Sequence, residues 1–259
     1  GAALAVTVDT GVPTAPVAPD LQASSDSGLL DSDNTTKETL PVFKVLLPAT
    51  GLEVGALAQL FNGATKIGEL TLSQTDLTNG FALVTVSTAL SANGTTSVTA
   101  KVVDLAGNAS VASPALNVLV DNTAPAAPAT PDLAAADDQG YSNTDNITNQ
   151  TGALTFTATV EANSKVEFFK DVNNNGLIDA GESLGVGTVV GTVGTLDNVS
   201  LSEGVYAIKA VQTDAAGNTS LATATALNLK VDTTRTQVTS ITSTTADGSY
   251  NAGKVIAVT

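Results

Sequence analysis

The chain repeats itself along its length, and this repetition limits the folds that it can adopt. One landmark is a seven-residue run that ends in aspartate: ALAVTVD at 3–9, ALNVLVD at 115–121 and ALNLKVD at 226–232. Two more landmarks keep the same register: PDL at 19–21 and 131–133, and DLAGN at 104–108 with DAAGN at 214–218. The interval is about 110 residues each time, which predicts tandem copies of one structural unit.

Within each unit the apolar residues alternate as they do in β-strands. Leu154–Val160, Val205–Val211 and Ala224–Val231 follow a period of two, and turn-forming residues interrupt such runs every eight to twelve residues or so. No segment shows the spacing of an amphipathic helix. About seven short strands in about 110 residues is the pattern of an immunoglobulin-like sandwich. We therefore predict an all-β chain of tandem immunoglobulin-like β-sandwich domains in an elongated array.

The landmarks divide the chain into four parts. Residues 1–8 are predicted to be the last strand of a preceding domain, 9–120 the first full repeat and 121–231 the second. Residues 232–259 are predicted to begin a further domain of a different type, because they do not match the start of the other repeats.

Composition removes several classes of function. The 259 residues include no His, Cys, Met or Trp, and Lys+Arg 10 against Asp+Glu 25 gives a formal net charge of −15. Zinc sites, thiol catalysis and histidine triads therefore lack their ligands or bases. The acidic balance disfavours nucleic acid and anionic membranes and favours divalent cations. No run of about 18 apolar residues predicts a membrane span.

Three motifs resemble a known group of domains. They are VDNTAP at 120–125, TDNIT at 144–148 and TDAAGN at 213–218. These resemble the bacterial Ig-like repeats of giant surface adhesins, including biofilm-associated and RTX-type proteins, and the resemblance covers both full repeats, the first being more divergent. It implies an extender region that is secreted to the bacterial cell surface and that carries calcium at its linkers.

One loop has the spacing of a calcium site. DVNNNGLIDAGE at 171–182 fits the register of an EF-hand loop, in which oxygen ligands alternate and glycine stands at position 6. The flanks, 166–169 and 184–190, have the pattern of strands, so we predict a hairpin loop. The predicted ligands are Asp171, Asn173, Asn175, the Leu177 carbonyl, Asp179 and Glu182. The alternative is a polar turn that binds nothing. The matching stretch of the first repeat, 61–66, lacks carboxylates, and we predict no site there.

Further cation sites are predicted where consecutive domains meet. In an immunoglobulin-like topology the B–C and F–G loops lie where the chain enters a domain, and the A–B and E–F loops where it leaves. Asp214 is therefore expected near Asp121 and Glu161, and Asp104 near Asp9. The A–B carboxylates would complete the junctions: Asp26, Asp31 and Asp33 in the first repeat, and Asp137, Asp138 and Asp145, which would lie toward Asp232, in the second. The alternative is that these carboxylates only cap turns.

These patterns favour a non-enzymatic spacer, stiffened by calcium, that holds an adhesive tip away from the cell and supports cell adhesion and biofilm formation. A second hypothesis is self-association into a surface layer, filament or extracellular matrix. A third is carbohydrate recognition, for which only Tyr141, Tyr206 and Tyr250 offer the usual stacking rings. Paired carboxylates can hydrolyse glycosides, but here they stand in repeated landmarks and in a cation loop, so we predict no enzyme. The expected partners are calcium ions and neighbouring domains of the same chain.

Overall fold

The computed structural model describes residues 8–239 together with residues 242, 248, 249 and 252. The strand predicted at 1–8 and the domain predicted from 232 onwards lie largely outside the described residues. In the described part the chain is nearly all β, as predicted. It forms two hydrophobic cores, the first between Leu21 and Val120 and the second between Leu133 and Val231. The three boundaries proposed from the sequence stay predictions.

The first core lies between two sheets. The elements are β1 (Asp20–Leu21), β2 (Thr35–Thr36), β3 (Val42–Leu46), β4 (Leu57–Asn62), β5 (Thr65–Thr71), α1 (Gln74–Asn79), β6 (Phe81–Thr85), β7 (Gly94–Val103) and β8 (Leu116–Val120). One sheet has the order β1-β3-β6 and the other β2-β8-β7-β4-β5. Phe43 on β3 and Leu60 on β4 are fully buried between them.

The second core is enclosed by a similar arrangement of strands, but here the strands form one continuous hydrogen-bonded sheet. Its strands are β9 (Asp132–Leu133), β10 (Ile147–Thr148), β11 (Leu154–Thr159), β12 (Lys165–Lys170), β13 (Ser183–Val190), β14 (Val193–Val199), β15 (Gly204–Thr213) and β16 (Leu227–Val231). Their order is β10-β16-β15-β12-β13-β14-β11-β9. β13 joins the two layers, because its first half pairs with β12 and its second half with β14.

The period-two runs became strands because alternate residues are buried. On β16, Leu227, Leu229 and Val231 are buried while the residues between them are exposed. On β11, Leu154, Phe156 and Ala158 face the core in the same way. Each such face removes apolar surface from water, and this burial is the main favourable contribution to folding.

One short helix stands among the strands of the described part of the chain, and it does not have the spacing of an amphipathic helix. α1 is a short helix that begins with a capping box: the Ser73 hydroxyl accepts from Asp76 N–H, and the Asp76 carboxylate accepts from Ser73 N–H. It ends at Gly80, which has a φ of 73°. None of its residues is buried, so it lacks the apolar stripe that marks a helix in a sequence. No helix in the described part of the chain is long and apolar enough to cross a membrane.

The first strand of each sandwich is split between the two layers. β1 pairs antiparallel with β3, whereas β2 pairs parallel with the last strand, β8. The second sandwich repeats this with β9 on β11 and β10 on β16. Residues 22–34 and 134–146 connect the two halves and are called the exit segments below. The carboxylates that we assigned to A–B loops lie in these segments, within the split first strand.

Candidate calcium loop and domain junction

Residues 171–182 connect β12 to β13 as a hairpin, as the flanking patterns predicted. The hydrogen bond from Lys170 N–H to the Glu182 carbonyl (2.8 Å) closes the loop at its base. Inside it, Asn174 and Gly176 take left-handed conformations, with φ of 56° and 72°. Asparagine and glycine adopt this region most readily, so the sequence of the loop matches its sharp turn.

The first residue of the loop is a buried carboxylate. Asp171 is 3% exposed, and it accepts the backbone N–H groups of Asn175 (3.0 Å) and Gly176 (3.1 Å). The Lys209 ammonium lies 2.9 Å from its Oδ2. Burial raises the pKa of Asp171, but the hydrogen bond from Lys209, with help from the Gly176 N–H, brings the pKa below its ordinary value. Asp171 is therefore ionised at neutral pH.

The side chains at positions 3, 5 and 9 of the loop converge on one point. The Nδ2 atoms of Asn173 and Asn175 lie 2.7 Å and 2.9 Å from Oδ2 of Asp179. A half-turn of either amide would present its oxygen in place of its nitrogen, since the two ends of a carboxamide have nearly the same shape. The oxygen atoms of these three side chains can thus face the same point and act as ligands.

The last residue of the loop faces inward. Glu182 is 6% exposed, and its two oxygens accept the N–H groups of Val172 (2.9 Å) and Asp179 (3.0 Å). All the predicted ligand atoms of the loop are oxygens, which calcium prefers. Among the described residues, however, no three acidic side chains stand together in a geometry that could hold a metal ion. Calcium binding by the six predicted ligands stays a prediction.

An asparagine links each linker to the F–G loop of the domain that follows. Asn218 Nδ2 donates to the Asp121 carbonyl oxygen and to Oδ2 of Asp214, both at 2.9 Å. In the first sandwich, Asn108 Nδ2 contacts the Asp9 carbonyl oxygen (3.2 Å) and Oδ2 of Asp104 (2.9 Å). The hydrogen bond from Asn108 lowers the pKa of Asp104. Both asparagines stand in the repeated landmark, of which only the aspartates were predicted to have a role.

The linker is also held farther along the chain. Glu161 Oε1 accepts the Ala126 N–H (3.2 Å), and Gln212 Nε2 donates to the Ala126 carbonyl oxygen (2.7 Å). Gln212 is 2% exposed, and its own Oε1 accepts the Glu161 N–H at 2.7 Å. Glu161 therefore contacts the linker, but through the backbone of Ala126 and not through Asp121 or Asp214.

Several of the junction carboxylates cap turns, and their binding of calcium stays a prediction. Five of them accept an N–H two residues ahead: Asp9 from Gly11, Asp33 from Thr35, Asp121 from Thr123, Asp145 from Ile147 and Asp232 from Thr234. Asp232 also pairs with Lys230 at 2.7 Å. Asp137 accepts hydrogen bonds from the Gln150 side chain and from Thr155 N–H, and both of these donors belong to the second sandwich.

Each exit segment contains one buried carboxylate, of which one oxygen accepts a hydrogen bond and the other does not. Asp26 is 3% exposed and Asp138 is 2% exposed; their Oδ2 atoms accept the N–H groups of Asn34 and Asn146, both at 3.0 Å. Within the described residues, their Oδ1 atoms have no hydrogen-bond partner. Burial raises the pKa of Asp26, and the carboxylates of Asp33 and Asp31 raise it further, against the hydrogen bonds from the backbone.

The first exit segment touches the F–G loop of the second sandwich. Three successive carbonyl oxygens receive donors from the first sandwich: Ala215 from Leu29 N–H (3.1 Å), Ala216 from the Ser27 hydroxyl (3.1 Å) and Gly217 from the Lys37 ammonium (3.0 Å). The backbones approach closely, because a Cβ on Gly28 would stand 1.8 Å from the Ala215 oxygen. The two segments meet at the end that the topology predicted, and they are joined by hydrogen bonds to backbone carbonyl groups and not through their carboxylates.

Two sandwiches in tandem, joined through repeated aspartate landmarks, define a modular immunoglobulin-like protein. The sequence matches the bacterial Ig-like domain family over residues 12–122 and 124–233. The chain belongs to this family. A comparison with curated protein sequences finds no match.

The fold is similar to several solved structures at low sequence identity. The fibronectin(III)-like modules of Clostridium thermocellum CbhA are 18% identical, with a TM-score of 0.41 over 87% of this chain and 93% of that one. A Ca²⁺-stabilized adhesin with which an Antarctic bacterium binds ice is 16% identical, with a TM-score of 0.43 over 91% of this chain and 52% of that one. This chain thus spans about half of that adhesin structure.

Substituting Gly28 by alanine should loosen the junction, because its Cβ would overlap the Ala215 carbonyl oxygen. We expect a broader distribution of distances in small-angle X-ray scattering, with little change in the thermal unfolding of each sandwich. Gly94→Ala is the matched control, since no atom lies within 4 Å of its added Cβ. If the two variants scatter alike, the contact does not hold the repeats together.

Substituting Asp26 by asparagine should stabilise the protein in excess chelator at neutral pH. The folded-state pKa of Asp26 is raised above the ordinary 3.8, so the ionised form destabilises the folded state, and this penalty disappears as the pH falls below 3.8. We expect the Tm of the first sandwich to rise by about 4 °C, the equivalent of about 1 kcal/mol. The gain should vanish in acid. The exposed Asp20→Asn provides the control, and an equal gain there would contradict the prediction.

Proposed function

We propose that this chain is a spacer segment of a large bacterial cell-surface adhesin, stiffened by calcium, that supports cell adhesion and biofilm formation. One observation carries the proposal: the asparagine link between linker and F–G loop occurs in both repeats with the same donor and acceptors. A connection that is rebuilt at each domain boundary serves the alignment of neighbours. Domains of this family are typically non-catalytic, and the proposal includes no reaction.

The hairpin loop is the first place where calcium would act. Asp171, Asp179 and Glu182 place three carboxylates in one loop, and the two loop asparagines converge with Asp179. Calcium coordinates six to eight oxygens, and to hold one ion these carboxylates would have to move closer together than they stand in the described structure. Because the loop connects β12 to β13, an ion there would tie adjacent strands of the second sandwich to each other.

The exit segments are the second place where calcium would act. Asp26 and Asp138 each keep one buried oxygen without a partner in the described part of the chain, and a buried charge in this state is expensive unless it is paired. Asp33 and Asp31 add negative charge around Asp26. A divalent cation would neutralise this group beside the contact between the repeats. The linker and F–G carboxylates of Asp9, Asp104, Asp121, Asp214 and Asp232 extend the proposal to the other junction positions.

A second candidate function is lateral assembly into a surface layer, filament or matrix. Its support is a set of apolar side chains that are more than two-fifths exposed on strands of the second sandwich: Val186, Val190, Val193 and Val205. The spacer proposal places the chain outside the cell, where calcium is available, and so does the assembly proposal. The two differ in whether the chain associates with copies of itself.

Small-angle X-ray scattering should distinguish a stiff array from a flexible one. We expect excess chelator to give a broad distance distribution, and millimolar calcium to give a longer and better-defined maximum dimension, because the cation relieves repulsion at the junction. If calcium changes nothing, the hydrogen-bonded contact alone sets the stiffness. If calcium instead produces concentration-dependent growth of the particle, the assembly function is favoured over the spacer.

Replacing Glu182 by glutamine should remove the loop site alone. The change keeps the shape of the side chain but removes one of the three loop carboxylates, and charge count sets the affinity of such loops. Binding at the loop should weaken at least tenfold, so that calorimetric titration detects about one calcium ion fewer per chain. Glu53→Gln, at an exposed position of the first sandwich, should leave the titration unchanged. Identical titrations for both variants would place calcium elsewhere.

A further inference from the structure

A lysine from a neighbouring strand pairs with the first carboxylate of the hairpin loop. Lys209 and Asp171 form an ion pair at 2.9 Å whose side chains are 12% and 0% exposed. This is one of the three ion pairs among the described residues, and the other two involve side chains that are far more exposed. A pair that is withdrawn from solvent is screened by salt much less than one on the surface, and removing one partner would leave the other charge buried and unpaired.

The backbone fixes the lysine beside the loop. β12 and β15 pair in register, so that Lys209 stands opposite Phe169. The hydrogen bond from Asp171 N–H to the Ala207 carbonyl oxygen (2.9 Å) continues this pairing into the first residue of the loop. Lys209 therefore reaches Asp171 from a neighbouring strand, independently of the fold of the loop itself.

The first sandwich offers an internal comparison. The strand pair that matches β12 and β15 is β4 and β7, where Phe61 stands opposite Thr99. The residue at the position of Lys209 is thus a threonine. In that sandwich β4 and β5 are connected directly through Gly63 and Ala64, without a long loop. The lysine accompanies the acidic loop and is replaced by a neutral residue where the loop is missing.

We propose that Lys209 tunes the calcium loop: its ammonium holds Asp171 in place when calcium is low, and it competes with calcium for that carboxylate when calcium rises. This inference rests on the proposed calcium site. The ammonium lowers the net charge of the three loop carboxylates from −3 to −2, and it repels a divalent cation at the same carboxylate. The loop is consequently folded before calcium arrives and binds it more weakly than its carboxylates alone would allow.

The test compares Lys209→Met with Lys165→Met in the full chain. Both variants lose one positive charge, but Lys165 is exposed at the start of β12, on the side away from the loop. Isothermal titration with calcium chloride should give Lys209→Met an affinity for the loop site about tenfold higher than that of the parent chain. In chelator its second sandwich should unfold at a lower temperature than that of Lys165→Met, because Asp171 loses its partner. Lys209→Arg keeps the charge and should titrate like the parent.

The outcomes separate this inference from the proposed function. Equal loop affinities for Lys209→Met and Lys165→Met would overturn the tuning role and leave the calcium site standing. A loop that binds calcium in Lys209→Met but not in the parent would support the competition directly. A loop that binds none in any variant, with titrations identical to that of Glu182→Gln, would overturn both.

Discussion

The backbone of Gly28 lies against the carbonyl group of Ala215, and the alignment of the two sandwiches depends on this close approach. Because only glycine lets the chains come this near, three successive carbonyl groups of the F–G loop can receive donors from the preceding domain. The Asn218 amide, the next residue of the same loop, donates to the carbonyl oxygen of Asp121 in the linker. Asp26 directly precedes this contact, so a buried carboxyl group is fixed where the domains meet.

The fold could be predicted largely from periodicity, and the differences have local causes. Alternating runs became strands because half of each run is buried, although β16 begins at Leu227 and not at Ala224. The helix after Ser73 is held by its caps and is too polar to leave an apolar stripe. The split first strand escaped notice because β1 and β2 have two residues each, which is too short for any period to appear.

Some residues of the candidate site could be predicted from the sequence, and others could not. The hairpin loop was predictable because all its donors fall within one 12-residue motif, and its flanks show the strand pattern. Lys209 and Gln212 were not predictable, since they act from another strand and no local spacing links them to their partners. The asparagine of the F–G landmark could have been found: it repeats with the aspartate, and a carboxamide can donate to a carbonyl and a carboxylate at once.

The split first strand decides how a pulling force would enter each domain. β10 runs parallel to β16, with Lys230 N–H and Asp232 N–H donating to the carbonyl groups of Asn146 and Thr148. The chain enters the sandwich through β9, passes through the exit segment into β10, and leaves through β16, so beyond β9 the load falls on the pair of β10 and β16. Tension along the array therefore pulls the two strands past each other and loads their hydrogen bonds together, in shear. A domain loaded in this way resists extension better than one whose bonds open one after another from an end.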